Sequence, residues 1–244
     1  VQEAGASLLL HRLDVPPAPL SSEERRERLV GMENWLQTNG MPPEEGEVLL
    51  RDMSRMPSRV PAYRPDVLLE GGEVLEWSPF HFEVLWTPGH AAGLVCLYER
   101  QFQVLLSSDH ILERISPNIG LYAQQSGDPL GEYLRSLQLV RDLPVKLVLP
   151  GHGSPFSDLS GRVDKLEAHH EQRLREMVNT LGDGEQTAYR IASRLSWRGS
   201  NQGWQQLRSF DRLAALSETL AHLHYLARQG QVTQQERDGE IVYR

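Results

Sequence analysis

Apolar and polar positions change rhythm along the chain, and each change marks an expected element. Residues 6–10, ASLLL, form a short apolar run of the kind a buried strand makes. Proline-rich Val15–Leu20 predicts irregular backbone. Ser21-Ser22-Glu23-Glu24 offers a serine cap and first-turn acids, which predicts a helix running to Thr38 and stopping at Asn39-Gly40. Pro43 and two glutamates open a second helix over 43–56. Both helices are largely polar. They read equally as an inserted cap over something and as a solvated surface hairpin.

From Asp66 the rhythm becomes that of strands. DVLLEGGEVLEW reads as two short strands around Gly71-Gly72. In HFEVLW, Phe82, Val84 and Trp86 alternate onto one face, and the run ends at Thr87-Pro88-Gly89-His90. LVCLYE and QVLLSSDH read as a hairpin pair joined near Arg100. Asp128-Pro129 caps a helix carrying Leu130, Leu134, Leu137 and Val140 at helical spacing. VKLVLPGHG is another buried strand, ending in a glycine-rich loop. Residues 160–181 predict a long charged helix that contains His169-His170 and breaks at Gly182-Asp183-Gly184. The remainder reads as helix (TAYRIASRL), loop (WRGSNQGW), helix (RLAALSETLAHLHYLARQG) and a β-hairpin turning at Asp238-Gly239. Helix-turn-helix followed by a hairpin is a winged-helix arrangement.

Of the 244 residues, 39% are hydrophobic and 24% charged, enough to build a core and too apolar for disorder. The net charge of −8 repels nucleic-acid phosphates on average. A single cysteine, Cys96, excludes an intrachain disulfide and reads as a core residue. With no long apolar run, no membrane partner is expected, and with no visible signal peptide the expected location is cytoplasmic. The opening VQEAGASLLLHRLDV reads like the end of a helix running into a strand, so an N-terminal segment is expected to be missing ahead of Val1.

Three strand-end loops carry the chemistry: TPGH (87–90), SSDH (107–110) and PGHG (150–153). Each sets a potential metal ligand just beyond a buried strand, where rigid scaffolds hold site residues. His90, Asp109 and His152 suit zinc, since imidazole nitrogen and carboxylate oxygen both ligate it. Glycine beside His90 and on both sides of His152 lets backbone come close and turn sharply.

TPGH…SSDH…PGHG, with 19 residues from His90 to Asp109 and 43 from Asp109 to His152, resembles the C-terminal half of the motif set of the metallo-β-lactamase superfamily. ISPNIGLY (115–122), the helix with LEAHHEQRLRE and the terminal winged helix resemble the branch of β-lactamase-like protein 2 and its bacterial relatives. The resemblance implies an α+β protein: an αββα sandwich, here N-terminally incomplete, plus a small winged-helix domain. The expected boundaries are 1–157 for the partial sandwich with a helical insertion at about 20–60, 158–182 for a connecting helix and 183–244 for the winged helix. It further implies two Zn2+ ions in the intact enzyme, with His90 on the first, His152 on the second and Asp109 bridging. Asp109 and His110 are the candidate catalytic residues, His110 as a substrate contact or a group behind the ligands. His169, His170, Asn118 and Tyr122 are candidate substrate neighbours. The family's His-x-His-x-Asp-His loop is absent from this sequence. The nearest string, His222-Leu223-His224, lies in a helix, where residues two apart point about 200° apart and cannot share an ion. A complete two-metal site draws more than twice the three ligands present, so zinc is expected to be weak or absent here and the chain by itself inactive or nearly so. Ser108 also departs, standing where relatives usually carry glycine.

Three functions follow as expectations. The first is a zinc-dependent hydrolase in which a metal-bound hydroxide attacks a small-molecule acyl substrate, a thioester or lactone. The second is a metal-dependent endoribonuclease, with RNA lying over Arg173, Arg175 and Trp204. The third is a non-enzymatic binder using the winged helix on DNA. Residues 183–244 hold eight arginines against seven acids, too weak a basic balance for the third. A structural or homodimer role suits that domain better, as does association with the missing N-terminal segment for the sandwich.

Overall fold

The computed structural model describes residues 5–15, 21–55, 64–123, 125–182, 184–197 and 203–244. Most of the proline-rich stretch and of the loop expected at 197–204 lie outside the described residues. In chain order the elements are β1 (Leu9–His11), α1 (Ser22–Thr38), α2 (Pro43–Ser54), β2 (Val67–Leu69), β3 (Val74–Trp77), β4 (Phe80–Trp86), β5 (Val95–Glu99), β6 (Val104–Ser108), α3 (Pro129–Arg141), β7 (Leu147–Pro150), α4 (Leu159–Leu181), β8 (Gln186–Thr187), α5 (Ala188–Arg194), α6 (Ser209–Arg228), β9 (Gln234–Arg237) and β10 (Glu240–Tyr243). They fall into two units. One comprises Val1–Pro17, Ala62–Ile119 and Pro129–His170, the other Ala18–Pro61, Gly120–Asp128 and Glu171–Arg244.

The first unit is built on a sheet of order β3-β4-β5-β6-β7. β3 to β6 pair antiparallel in sequence, and β7 joins β6 in parallel after the α3 crossover. Register puts Cys96, Tyr98, Leu105, Ser107 and Val148 on one face, and all are fully buried. The helices of this unit add Leu130, Tyr133, Leu137 and Val140 from α3, with Val163 and Leu166 from α4, to its interior. Burial pushes the Cys96 thiol up to about 12, against a small downward pull from the Thr87 hydroxyl. The opposite face is also apolar but open. Trp77 is 49% exposed and meets Phe82 at 5.7 Å, while Phe80 packs on Phe102 at 5.5 Å. β1 differs from expectation. It pairs in parallel with β2 in a separate two-stranded sheet, and its leucines are only half-buried. β2 and β3 flank Gly71-Gly72 as expected, but each pairs in a different sheet.

The second unit gathers segments that the sequence set apart. α1 starts as expected: the Ser21 hydroxyl accepts from Glu24 N–H at 3.1 Å, and the Glu24 carboxylate accepts from Ser21 N–H at 2.7 Å. The first half of α1 is solvated, but Leu36 is buried with Met41 and with Leu49 of α2. These join Met177, Ile191, Leu216, Leu223 and Tyr243 in one core. The helix pair is thus part of this unit's core, and neither an inserted cap nor a solvated hairpin describes it. The C-terminal helices and hairpin form as expected, with β8-β10-β9 as a three-stranded antiparallel sheet.

Glu45 of α2 ties this unit together. Its carboxylate accepts from Tyr189 Oη at 2.8 Å, Trp204 Nε1 at 3.0 Å and Arg212 Nη1 at 3.1 Å. Partial burial and the Glu45 hydrogen bond push the Tyr189 phenol up to about 12. Removing the shared acceptor strands three donors. Glu45→Ala is expected to cost about 2–3 kcal/mol in urea unfolding, and Glu45→Gln less. Because the folded phenol holds its proton more tightly than the unfolded one, its contribution is complete below about pH 10 and lost as pH rises through about 12. Tyr189→Phe should flatten that alkaline limb of the stability profile.

Candidate metal centre

Strand direction gathers the three loops. β5 runs antiparallel to both β4 and β6, and β7 runs parallel to β6, so β4, β6 and β7 all end at one edge of the sheet. His90, Asp109 and His152 leave from that edge. At the end of β6 the register shifts between Leu106 and Ser108. Ser108 adopts φ 48°, left-handed backbone that costs a residue with a side chain about 1 kcal/mol. This is the position at which the resemblance leads one to expect glycine. The turn is then fastened by His110 N–H to Ser107 O at 3.0 Å and by the Ser107 hydroxyl to Ile111 O at 2.7 Å.

The β7 loop closes on this turn. Gly151 N–H donates to Ser108 O at 2.8 Å. A Cβ on Gly151 would lie 2.6 Å from Asp109 Oδ1, so any larger residue would make that carboxylate shift. His152 Nε2 then stands 3.5 Å from Asp109 Oδ1. That oxygen is shielded from water and accepts no hydrogen bond, although the His152 side chain is 73% exposed. The β4 loop is held from behind by α3. The Ser136 hydroxyl donates to Pro88 O at 2.9 Å, and a Cβ on Gly89 (φ 139°) would strike the Tyr133 Cβ at 2.5 Å. His90 Nδ1 lies 2.8 Å from Asn118 O. A carbonyl only accepts, so Nδ1 carries the proton and the neutral ring keeps its Nε2 lone pair for a ligand.

These features fit a metal. Two ligands of one tetrahedral zinc, each about 2.0–2.1 Å from the ion, stand about 3.3 Å apart, close to the Asp109–His152 separation. A buried carboxylate oxygen without a donor is a site with one partner wanting. A ligand imidazole commonly has its other nitrogen anchored on a carbonyl. The expected convergence of all three is nevertheless incomplete. Among the described residues no three His, Cys, Asp or Glu side chains form a cluster that could hold an ion. Asp109 and His152 meet, and His90 is not gathered with them.

Other expected site residues turn inward. His110 follows Asp109 but is fully buried, edge-on to Tyr133 at 5.3 Å. Desolvation pushes its imidazole down to about 4, with His90 lowering it further and the Ser136 backbone opposing. It is neutral near pH 7 and cannot touch substrate. Its place behind the turn fits one of the two roles expected for it, a group behind the ligands, and not a substrate contact. His170 is buried against Tyr133 at 5.3 Å, and His169 Nε2 reaches the Ser116 hydroxyl at 3.2 Å. Asn118 serves through its backbone. Tyr122 packs against the core of the second unit. Tyr133 and Ser136 were not legible as site residues. They look like ordinary core positions of an amphipathic helix, and only contact shows Tyr133 Oη donating to His110 O at 3.1 Å.

The residues expected to face RNA are also accounted for differently. Trp204 is buried beneath Arg212 and Tyr189. Arg173 is buried over the Trp197 ring at 4.3 Å, paired with Glu176 and Glu218. Only Arg175 is open. His222 is buried, its Nδ1 on Glu218 O at 2.8 Å, in keeping with a helix core.

The model of the metallo-beta-lactamase superfamily matches residues 4–152. Probable metallo-hydrolase YqjP of Bacillus subtilis (strain 168) is 27% identical over 166 residues, 66% of this chain and 49% of that protein. Acyl-coenzyme A thioesterase MBLAC2 of Homo sapiens is 32% identical over 98 residues, 40% of this chain and 35% of that protein. The chain thus spans half or less of these curated relatives. The crystal structure of the metallo-beta-lactamase family protein TTHA1429 from Thermus thermophilus superimposes with a TM-score of 0.75 at 33% identity, covering 99% of this chain and 72% of that one.

The Gly151 approach yields a direct test. Gly151→Ala should weaken zinc binding to this chain about tenfold or more in calorimetric titration, because the new methyl displaces Asp109. At Gly153 a Cβ meets nothing nearer than Glu113 at 3.8 Å. Gly153→Ala should therefore cost about 1 kcal/mol of stability from its φ of 90° and leave zinc affinity within about threefold.

Proposed function

Because this chain belongs to the metallo-β-lactamase superfamily, we propose that it carries part of the centre of a zinc-dependent hydrolase acting on acyl thioesters. The observation that carries this reading is the buried, donor-free Asp109 Oδ1 set 3.5 Å from His152 Nε2. Asp109, His152 and His90 would hold the metal, His90 through the Nε2 that its Asn118 hydrogen bond leaves free. When bound, zinc supplies an activated water near neutral pH and polarises a carbonyl. The chain's own part is to hold the ligands: Gly151 seats Asp109 beside His152, Ser108 turns the carboxylate outward, and Tyr133 braces the loops before His90 and after Asp109. The thioester class is supported by the thioesterase named among the relatives.

Three ligands cannot fix two ions. The open apolar face around Trp77 and Phe80 supports a second layer of β-structure that completes the sandwich and brings the remaining ligands. Residues 184–244 form a winged helix in this reading, with a structural role. From Asp211 to Ala227 no residue of α6 is exposed, which leaves no face to enter a DNA groove. Arg173 and Trp204 are buried, so of the three residues expected to face RNA Arg175 alone supports the ribonuclease reading.

The test is zinc stoichiometry and hydrolysis of a short acyl thioester by these 244 residues and by a form extended with further sandwich strands. Zinc-dependent turnover is expected, slow in the former, and lowered about a hundredfold or more by Asp109→Asn or His152→Ala. Turnover indifferent to zinc removal would overturn the hydrolase reading. Two tightly bound zincs at full rate in the 244 residues would overturn the ligand count.

A further inference from the structure

The second unit holds a cleft of about 310 Å³ that the hydrolase reading does not use. It lies between α1, α6 and the β9–β10 hairpin, at the lower end of the size range of small-molecule sites, about 300–1,000 Å³. Trp35, Leu220, Ile241 and Tyr243 give it apolar and aromatic walls. Two polar groups break that lining. Asn39 is 2% exposed, and its Nδ2 donates to Trp35 O at 2.8 Å, which leaves Oδ1 as the acceptor without a donor. His224 Nε2 is likewise buried without a hydrogen bond. Native interiors seldom leave two such atoms at one cleft unless something else satisfies them. A second, polar recess of about 360 Å³ shares Asn34 and Thr38 with the first. Its rim carries Asp238 and Glu240, both exposed and neither ion-paired among the described residues.

We propose that these adjoining recesses bind a small aromatic amine, its flat ring between Trp35 and Tyr243 and its positive group toward Asp238 and Glu240. The ring fills the apolar part, which disfavours sugars and other polyols. A ring N–H satisfies Asn39 Oδ1. The two carboxylates at the rim select against anions, so nucleotides and carboxylated aromatics of the same size are poor ligands. The site lies wholly within the second unit and needs no metal.

Tryptamine and indole-3-acetate share a ring and differ in the sign of their charge, which makes them the discriminating probes. Titrated at millimolar concentration into the 15N-labelled chain, tryptamine should shift amides at Asn39, Leu220–His224 and Ile241–Tyr243 saturably. It should bind about fivefold or more tighter than indole-3-acetate. The double variant Asp238→Asn, Glu240→Gln changes only exposed side chains at the hairpin turn, and Asn tolerates the φ of 52° at position 238. It should bring the two affinities within about twofold. No saturable shift from tryptamine, shifts centred elsewhere, or equal affinity for the two probes in the unaltered chain would overturn the proposal.

Discussion

Everything at the candidate centre depends on the parallel pairing of β6 with β7. Parallel strands must be joined by a crossover, here α3, and both then leave the sheet at the same edge. The ladder is prolonged by one more bond, Gly151 N–H to Ser108 O, so the two loops start from adjacent backbone atoms. Residues 43 positions apart in sequence thereby place a carboxylate and an imidazole side by side with little side-chain freedom left to spend. Had β7 paired antiparallel, His152 would have left from the far edge.

The crossover helix does more than connect. Tyr133 lies against Gly89 and donates to the carbonyl of His110, so one side chain gauges the distance between the loops that follow β4 and β6. The two neighbours Asp109 and His110 have opposite fates for this reason. The left-handed turn at Ser108 sends the carboxylate outward and the next ring inward, where desolvation keeps it neutral. A neutral ring behind the turn adds no positive charge that would compete with a cation at Asp109.

The strand-end loops, the capped start of α1, the β5–β6 hairpin and the α6–hairpin terminus were legible because each is written in local periodicity or in turn residues. Ser108 was legible only as an oddity, and its positive φ explains why glycine suits that position. What could not be read were choices made by tertiary partners. The apolar run at Leu8–Leu10 says strand but not that β2 is its mate. Leu36 and Leu49, sparse among polar neighbours, give no hint that α1 and α2 share a core with residues beyond 171. Arginine reads as surface, yet Arg173 is buried over the Trp197 ring, paired with Glu176 and Glu218. The second-unit cleft is invisible in the same way, since Asn39 looks like a helix stop and nothing more.

Cys96 has a practical consequence. It is the chain's lone thiol, on the middle strand of the five-stranded sheet, fully enclosed and held far from its reactive ionised form. An alkylating reagent can reach it only in molecules whose central ladder has opened, so the labelling rate under native conditions reports the free energy of that opening. The stability of the layer that carries the ligands can therefore be followed without adding a probe.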